Sequence, residues 1–197
     1  MKLSRQAWVS IRAMIVLTIV LGILYPTAIW IVGLAMPAQS NGSLVSQDGK
    51  VVGSSLIGQS FTDKKGKALP EWFQSRPSAA GAGYDGAASS GSNYGPENKD
   101  LIDAIKARTA AIEKSDGVTA AQIPADALTA SASGLDPHIS PAYALQQVPR
   151  VAAARGLSES SVHALVETFI QGRDLGYLGE PTVNVLQLNI ALSALKS

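Results

Sequence analysis

The chain of 197 residues contains no cysteine. This absence excludes a disulfide framework, a thiolate nucleophile and any zinc or iron–sulfur site with cysteine ligands. Histidine occurs only twice, so a metal site or a catalytic histidine has few candidates. Charged residues make up 16% of the chain and the formal net charge is +1. This balance, with no basic run, argues against a general nucleic-acid binder.

One long apolar stretch runs from Ala13 to Met36 without a charged side chain. A helix of that length crosses about 30 Å of hydrocarbon at a rise of 1.5 Å per residue. A secretory signal has a shorter apolar region that ends at a small-residue cleavage site, and the sequence AMPA after this stretch matches such a site poorly. The stretch therefore predicts an uncleaved transmembrane helix over residues 13–36.

The charges around this stretch predict its orientation. Lys2, Arg5 and Arg12 precede it, whereas no charged residue follows it until Asp48. Cationic flanks stay on the cytoplasmic side of a membrane. We therefore expect a cytoplasmic stub over residues 1–12 and an extracytoplasmic domain, slightly acidic in its balance, over residues 37–197.

Four residues of the predicted span favour packing against other membrane helices. Pro26 follows Tyr25 near the middle, where proline removes a backbone hydrogen bond and predicts a kink. Gly22 and Gly33 leave room for the close approach of a second helix. The span is thus expected to lie among partner helices rather than alone in lipid.

The remaining chain reads as one mixed domain. Residues 37–49 are interpreted as a polar connection, and residues 50–61 as one or two short strands. Apolar residues recur at helical spacing after Pro96 as far as the stop signal Asp116-Gly117. Further helices are predicted by Ser140-Pro141, by a restart at Pro149 that ends at Gly156, by Ser158 and by the final apolar segment from Val183. The prediction is an α+β fold with helices mainly in the C-terminal half.

A glycine-rich stretch over residues 75–96 contains Gly81, Gly83 and Gly86 in the order G-x-G-x-x-G. A dinucleotide site needs a strand before these glycines and a helix after them, and neither is indicated here. The stretch also carries Arg76, Tyr94 and many serine and asparagine side chains, which is more specific than a flexible linker requires. We therefore interpret it as an ordered loop that docks on a partner.

A second polar stretch contains Asp136 and His138. The two side chains fit a metal-ligand pair, or a Ser–His–Asp group with Ser131, Ser133 or Ser140. They fit equally a turn that leads into the helix capped by Ser140, which is the interpretation we favour. No metal site is predicted, because no third ligand with suitable spacing is found.

Four motifs carry a resemblance to a known family. TIVLGILYP in the span, SGSNYGP, SGLDPHISP and GEPTVNVLQLN are long, ordered and specific. They resemble the KdpC family, the C subunit of the bacterial Kdp potassium-transporting P-type ATPase, over nearly the whole chain. Trp72 stands where that family commonly has tyrosine.

The resemblance implies a non-catalytic, single-span subunit of a potassium uptake pump in the bacterial inner membrane. The implied partners are a potassium-conducting subunit, a P-type ATPase subunit and a small single-span subunit, which this chain would join and stabilise. It implies no cofactor bound by this chain itself, since ATP and potassium act on the complex. With the loop described above, it gives these docking candidates: Arg76, Pro77, Ser78, Ser89, Gly91, Ser92, Asn93, Gly95, Pro96 and Asn98.

The family has also been described as a catalytic chaperone that raises the ATP affinity of the pump. In that description the glutamine at position 147 takes part in nucleotide binding. The predicted topology opposes direct contact with ATP, so an indirect effect through the span is expected. The alternatives are a direct nucleotide-binding regulator and, more remotely, a membrane-anchored envelope hydrolase that uses a serine with His138 and Asp136.

Overall fold

The structure, a computed structural model, describes residues 3–195. Lys2, part of the predicted cationic flank, lies outside the described residues, as do Met1, Lys196 and Ser197. The chain divides into two compact units, Met1–Leu44 and Val45–Ser197.

The N-terminal unit is dominated by one long apolar helix. Helix α1 spans Leu3–Ile19, a π-helical turn spans Val20–Leu24 and helix α2 spans Tyr25–Ala35. The 33 residues together are long and apolar enough to cross a membrane, and none of the most apolar window is buried. The helix thus begins before the predicted span, because polar residues such as Arg5 also favour helix.

Proline at position 26 changes the hydrogen bonding of this helix. The sequence predicts a kink there, and the structure has the π-helical turn Val20–Leu24 immediately before Tyr25 and Pro26. Because proline donates no backbone hydrogen bond, the regular pattern of an α-helix cannot continue through it. A π turn is one of the established ways in which a helix absorbs such a break. Gly22 lies within this turn.

Gly33 has a local role at the end of the helix. The short helix α3, Pro37–Ser40, follows Met36, and its Ser40 Oγ donates a hydrogen bond of 3.0 Å to the Gly33 carbonyl oxygen. A Cβ atom on Gly33 would lie 3.4 Å from Ser40 Cβ, which is a tight contact. The glycine therefore lets the chain turn back at the helix end, while packing on a partner helix stays a prediction.

A β-hairpin, which the sequence analysis placed differently, starts at Leu44, the last residue of the N-terminal unit. Strand β1, Leu44–Gln47, pairs with β2, Lys50–Ser54. The two residues between them, Asp48 and Gly49, have φ values of 50° and 76°, which is the backbone of a tight hairpin turn. The interpretation of residues 37–49 as a polar connection is therefore wrong for residues 44–47, since the Asp-Gly turn signal was missed.

Helices occupy most of the chain after residue 98. Helix α4 begins after Asn98, whose side-chain oxygen accepts from the Asp100 and Leu101 N–H groups, and ends at Gly117 with a φ of 68°. Ser140 caps α6 by accepting from the Tyr143 N–H, as predicted. The helices are α4 Lys99–Asp116, α5 Ala125–Leu128, α6 Pro141–Gln146, α7 Val148–Arg155, α8 Glu159–Thr168 and α9 Val185–Ala194.

A small antiparallel sheet joins distant parts of the C-terminal unit. Its order is β3 (His138–Ile139), β5 (Thr182–Asn184) and β4 (Ile170–Gln171). Val183 and Asn184, expected to be helical, belong to β5, and α9 starts directly after them. Strands of two or three residues are too short for the alternation that identifies a strand in a sequence.

The core of the C-terminal unit is formed mainly by residues of this sheet and of helices α6 to α9. Phe73, Val162, Val166, Leu188 and Leu192 are fully buried there. Phe73 comes from a segment without regular secondary structure, so the core depends on how that segment is held. The predicted α+β fold, with one apolar N-terminal helix and helices in the C-terminal half, is confirmed.

Candidate functional site

The segment that leads into the glycine-rich loop is held by two buried side-chain amides. Gln147 Oε1 accepts from the Gln74 N–H at 2.7 Å, and Gln147 Nε2 donates to the Gln74 carbonyl at 3.2 Å. Asn189 forms the same pair of hydrogen bonds with Phe73, the residue before Gln74: its Oδ1 accepts from the Phe73 N–H at 3.0 Å and its Nδ2 donates to the Phe73 carbonyl at 2.9 Å. We call this arrangement the amide clamp.

A buried ion pair stands behind the clamp. Arg150 Nε lies 2.8 Å from Asp116 Oδ1, and both side chains are almost fully buried. The same guanidinium donates to Gln147 Oε1 at 2.6 Å and to the carbonyls of Pro70 and Trp72. One arginine thus connects the end of α4, the clamp and the incoming chain, since a guanidinium offers five donors in a fixed plane.

Gln147, implied by the resemblance to act on nucleotide, therefore has both polar atoms of its side-chain amide engaged inside the protein. Both of its polar side-chain atoms bond to Gln74, and its side chain is 0% exposed. A buried amide is costly to leave unpaired, which keeps it in this arrangement. Contact with a ligand would require the clamp to open first.

Arg76 and Asp136, chosen for separate reasons in the sequence, form an ion pair with 3.2 Å between Nη1 and Oδ2. The Asp136 carboxylate also accepts from the His138 N–H at 3.0 Å, and His138 Nδ1 lies 3.5 Å away. Burial acts to raise the pKa of Asp136, but the hydrogen bonds from His138 and the charge of Arg76 outweigh it, so that the pKa is lowered. This group fastens the start of the loop to residues 129–138.

Two of the three serines near His138, Ser133 and Ser140, have other partners. Ser140 Oγ lies 3.0 Å from Asp126 Oδ1 and caps α6. Ser133 Oγ accepts from the Leu135 N–H. Ser131 is buried. Within residues 3–195 no serine hydroxyl bonds to the His138 ring, and no group of three or more His, Asp or Glu side chains suits a metal ion. The favoured turn interpretation fits this geometry.

Half of the docking candidates anchor the loop. Ser78 Oγ donates to the Gly134 carbonyl at 2.6 Å and accepts from the Tyr84 N–H at 2.8 Å. Ser89 Oγ donates to the Ser133 carbonyl at 3.0 Å. Gly91 packs so closely that a Cβ atom would lie 2.8 Å from the Ala132 carbonyl oxygen. The loop is therefore ordered by specific contacts with residues 129–136.

Tyrosine 84 adds another of these contacts. Its hydroxyl donates to the Arg76 carbonyl at 2.7 Å. Burial raises the pKa of Tyr84 to about 12, which keeps the donor proton in place. Pro77, another docking candidate, lies half-buried between Arg76 and Ser78. The first and last residues of the R-P-S motif, Arg76 and Ser78, thus bond within the domain.

The other docking candidates point away from the domain. Residues 92–98 are exposed without exception, and we call them the exposed segment. It includes Tyr94, 45% exposed, and Asn93, which adopts a φ of 53° and donates from its side chain to the Gly91 carbonyl. The candidates in it are Ser92, Asn93, Gly95, Pro96 and Asn98.

The G-x-G-x-x-G glycines shape turns within this loop. Gly81 and Gly83 have φ values of 53° and 108°, which side chains other than glycine rarely adopt. Within residues 3–195 no strand leads directly into them, because β2 ends at Ser54, and the next helix begins only at Lys99. The arrangement lacks the helix N-terminus that receives a pyrophosphate.

One exposed apolar feature was missed by the sequence analysis. The turn between β4 and β5 presents Leu175, 80% exposed, with Tyr177 and Leu178 beside it. Arg173 and Glu180 form an ion pair of 2.6 Å at its base. The signal was available in LGYLGE, where three large apolar residues alternate with glycines and cannot all be buried.

Comparison with known proteins agrees with the motifs. The family described as "K+-transporting ATPase, c chain" matches residues 7–194. A relative from Kineococcus radiotolerans, named "Potassium-transporting ATPase KdpC subunit", is 54% identical over 190 residues, covering 96% of this chain and 94% of the relative. Relatives of the same name are 50% identical in Herpetosiphon aurantiacus, covering 95% of each chain, and 54% identical in Caulobacter vibrioides, covering 90% of this chain and 87% of the relative. The chain therefore belongs to the KdpC family, that of the c chain of potassium-transporting ATPases.

Proposed function

We propose that this chain is a non-catalytic subunit that assembles and stabilises a potassium uptake pump. The partners are a potassium-conducting subunit, a P-type ATPase subunit and a small single-span subunit. The observation that carries the proposal is the division of the loop into an anchored half and an exposed segment. An exposed surface that is already ordered by contacts with its own domain loses little conformational freedom when a partner binds.

The exposed segment is the surface that meets the potassium-conducting subunit. Its Tyr94 offers a large ring and a hydroxyl, a combination that is enriched at protein interfaces. The Asn93 side chain donates to the Gly91 carbonyl and the Asn98 side chain accepts from the Asp100 N–H, so their remaining polar atoms are held in place. Arg76, Ser78, Ser89 and Gly91 support this surface rather than contact the partner.

The apolar helix anchors the subunit in the bacterial inner membrane. Residues 1–12 lie in the cytoplasm, residues 13–36 span the bilayer and residues 37–197 lie outside. Arg5 and Arg12 on one side, with no charge until Asp48 on the other, support this orientation. Gly22, Tyr25, Pro26 and Gly33 are the residues that meet neighbouring membrane helices.

The absence of cysteine makes the orientation simple to test. A cysteine at exposed Ala154 reacts with a membrane-impermeant maleimide in intact cells, whereas one at Ser4 reacts only after lysis. The reverse labelling pattern would place the domain in the cytoplasm and would favour the nucleotide-binding alternative.

An effect on ATP affinity, if this subunit has one, is indirect. The buried amide of Gln147 bonds to Gln74, which supports a structural role for it. Changing the clamp alters how the loop is held, and through the loop and the span it alters the pump. A Gln147 variant with wild-type stability but a changed ATP requirement would support direct nucleotide binding instead.

The decisive experiment expresses the operon neighbours with a tagged copy of this chain and measures potassium-stimulated ATP hydrolysis. Replacing Asn93 and Tyr94 by alanine weakens co-purification of the partners by about tenfold or more, because the contact area of the ring is lost. A double variant at the exposed residues Glu167 and Gln171 serves as the control and behaves as the unchanged chain. Full assembly of the Asn93/Tyr94 variant would remove the exposed segment from the interface.

A further inference from the structure

A cleft of about 900 Å³ lies between α4 and residues 60–84 in the C-terminal unit. Its size falls in the range of pockets that hold small organic ligands. Apolar surface is supplied from both sides by Phe61, Pro77, Tyr84, Ile112 and Ala127. The function proposed above makes no use of this cleft.

The charges in the cleft are unbalanced. Among the described residues that line it, the basic side chains are Lys67, Arg76, Arg108, Lys114 and Arg150, and the one carboxylate is Asp116. Arg150 is neutralised by Asp116, and Arg76 by Asp136. Within residues 3–195 no carboxylate lies within ion-pair distance of Arg108, Lys67 or Lys114. The cleft therefore has an excess of positive charge.

Two of these arginines donate to the carbonyls of consecutive residues. Arg108 Nη1, from α4, donates to the Leu128 carbonyl at 2.7 Å, and Arg76 Nη2, from the loop, lies 3.4 Å from the adjacent Thr129 carbonyl. Both arginines line the cleft, and each binds the backbone at the end of α5. Burial lowers the pKa of Arg108, so this cation is partly removed from water without a counter-ion.

Arg76 also has an unused donor. Its Nε is buried and has no hydrogen-bond partner within the part of the chain that the structure describes. A buried donor without an acceptor is unfavourable, and because this atom is buried it would have to move to reach a ligand in the cleft. Guanidinium groups bind carboxylates through two parallel hydrogen bonds, which matches the two arginines that line the cleft.

We propose that the cleft binds an organic monocarboxylate, that is, a single carboxylate attached to an apolar body. The carboxylate lies on the Arg76 and Arg108 side, and the apolar body lies between Phe61, Tyr84 and Ile112. Of Arg76 and Arg108, only Arg108 lacks a carboxylate partner within residues 3–195, so a single carboxylate supplies the missing counter-ion on this side. The carboxylate belongs either to a free organic acid or to an acidic side chain of a partner subunit.

The site is tested on the full chain in detergent micelles with 3-phenylpropionate as the probe and its uncharged amide as the matched control. We expect saturable binding of the acid and a shift of the arginine side-chain resonances in nuclear magnetic resonance spectra. The affinity for the amide should be lower than that for the acid by about tenfold or more. Equal binding of acid and amide, or no saturation up to about 10 mM acid, would overturn the proposal.

Variants on α4 separate the site from general charge effects. Arg108→Gln reduces the affinity for the acid by about tenfold, and Arg108→Lys gives a smaller loss because it keeps the charge but not the fork. Lys106→Gln removes the same charge from an exposed position outside the cleft and leaves binding unchanged. Equal effects of Arg108→Gln and Lys106→Gln would contradict a local site, and Arg108→Lys supplies the test if the glutamine variant does not fold.

The assembled pump then identifies the source of the carboxylate. If an acidic side chain of a partner fills the cleft, the probe binds to the isolated chain but not to the complex. If the ligand is a free acid, the isolated chain and the complex bind the probe with similar affinity. The proposal does not depend on the exposed segment: loss of assembly in the Asn93/Tyr94 variant leaves binding of the probe to the isolated chain intact.

Discussion

Gln147 closes a ring of two hydrogen bonds on the backbone of Gln74, with its Oε1 accepting from the N–H at 2.7 Å and its Nε2 donating to the carbonyl at 3.2 Å. Asn189 does the same for Phe73. Successive residues of an extended chain direct their backbone groups to opposite sides, so one amide approaches from each side. The backbone hydrogen-bonding groups of Phe73 and Gln74 are thereby paired as in a central strand, although the segment belongs to neither sheet in the part of the chain that the structure describes.

Replacing Gln147 by leucine is expected to lower the free energy of unfolding by about 3 kcal/mol, because the backbone N–H and carbonyl of Gln74 lose their partners. Urea unfolding of the full chain in micelles measures this, followed by fluorescence in a background where Trp8 and Trp30 are phenylalanine and only Trp72 reports. The control is Gln171→Leu at an exposed position, for which we expect a change within about 0.5 kcal/mol. Equal effects of the two substitutions would refute the clamp.

The two halves of the clamp should depend on each other. Since Phe73 and Gln74 are adjacent, release of one also frees the other, so the second substitution has less left to disrupt. The double variant Gln147→Leu/Asn189→Leu is therefore expected to be more stable than the sum of the single effects predicts, by about 1 kcal/mol. A double-mutant cycle from the same urea curves gives this value, and additive effects would mean that the amides act independently.

The features predicted from the sequence are those with local causes. Ser140 and Gly156 carry their signals within a few residues of the helix ends, and both have the expected roles. The strand pairing His138↔Asn184 joins residues far apart in sequence, and strands of two or three residues show no periodicity. The small sheet was therefore missed.

The candidate site shows the same limit. Arg76 and Asp136 were both selected, for different reasons, but an ion pair between residues 60 positions apart has no local signal. Asn189 was not selected at all, although a polar side chain inside the apolar run VLQLNIAL is the kind of residue that needs a buried partner. That signal could have indicated the clamp.

Gly91→Ala should loosen the loop, whereas Gly95→Ala should not. A Cβ atom on Gly91 would lie 2.8 Å from the Ala132 carbonyl oxygen, so the loop must move away from residues 129–136. Nothing lies within 4 Å of the same position on Gly95. Amide hydrogen exchange of residues 78–91 measures the difference, and faster exchange is expected only for Gly91→Ala. Similar exchange in both variants would show that the close approach at Gly91 is not what orders the loop.

The ion pair of Arg76 and Asp136 should make stability depend on pH in the acid range. The pKa of Asp136 is lowered in the folded chain because the bonds from His138 and the charge of Arg76 outweigh burial. A carboxyl group whose folded pKa is lowered contributes stability above its unfolded pKa of about 3.9. That contribution is lost as the pH falls through the folded value.

Asp136→Asn is therefore expected to lower the free energy of unfolding by about 1 kcal/mol at pH 6, a value reduced from that of a buried pair because the carboxylate is partly exposed. The difference between the variant and the unchanged chain should shrink as the pH falls below about 3.9, and it should disappear below the lowered pKa of the folded carboxyl group, where both chains carry an uncharged side chain at this position. Urea unfolding at several pH values from 3 to 7 measures it. Arg76→Gln removes the same ion pair from its other side and should weaken the dependence of stability on acid pH. If the Arg76→Gln variant showed the full acid dependence of the unchanged chain, the lowered pKa of Asp136 would be due to His138 alone.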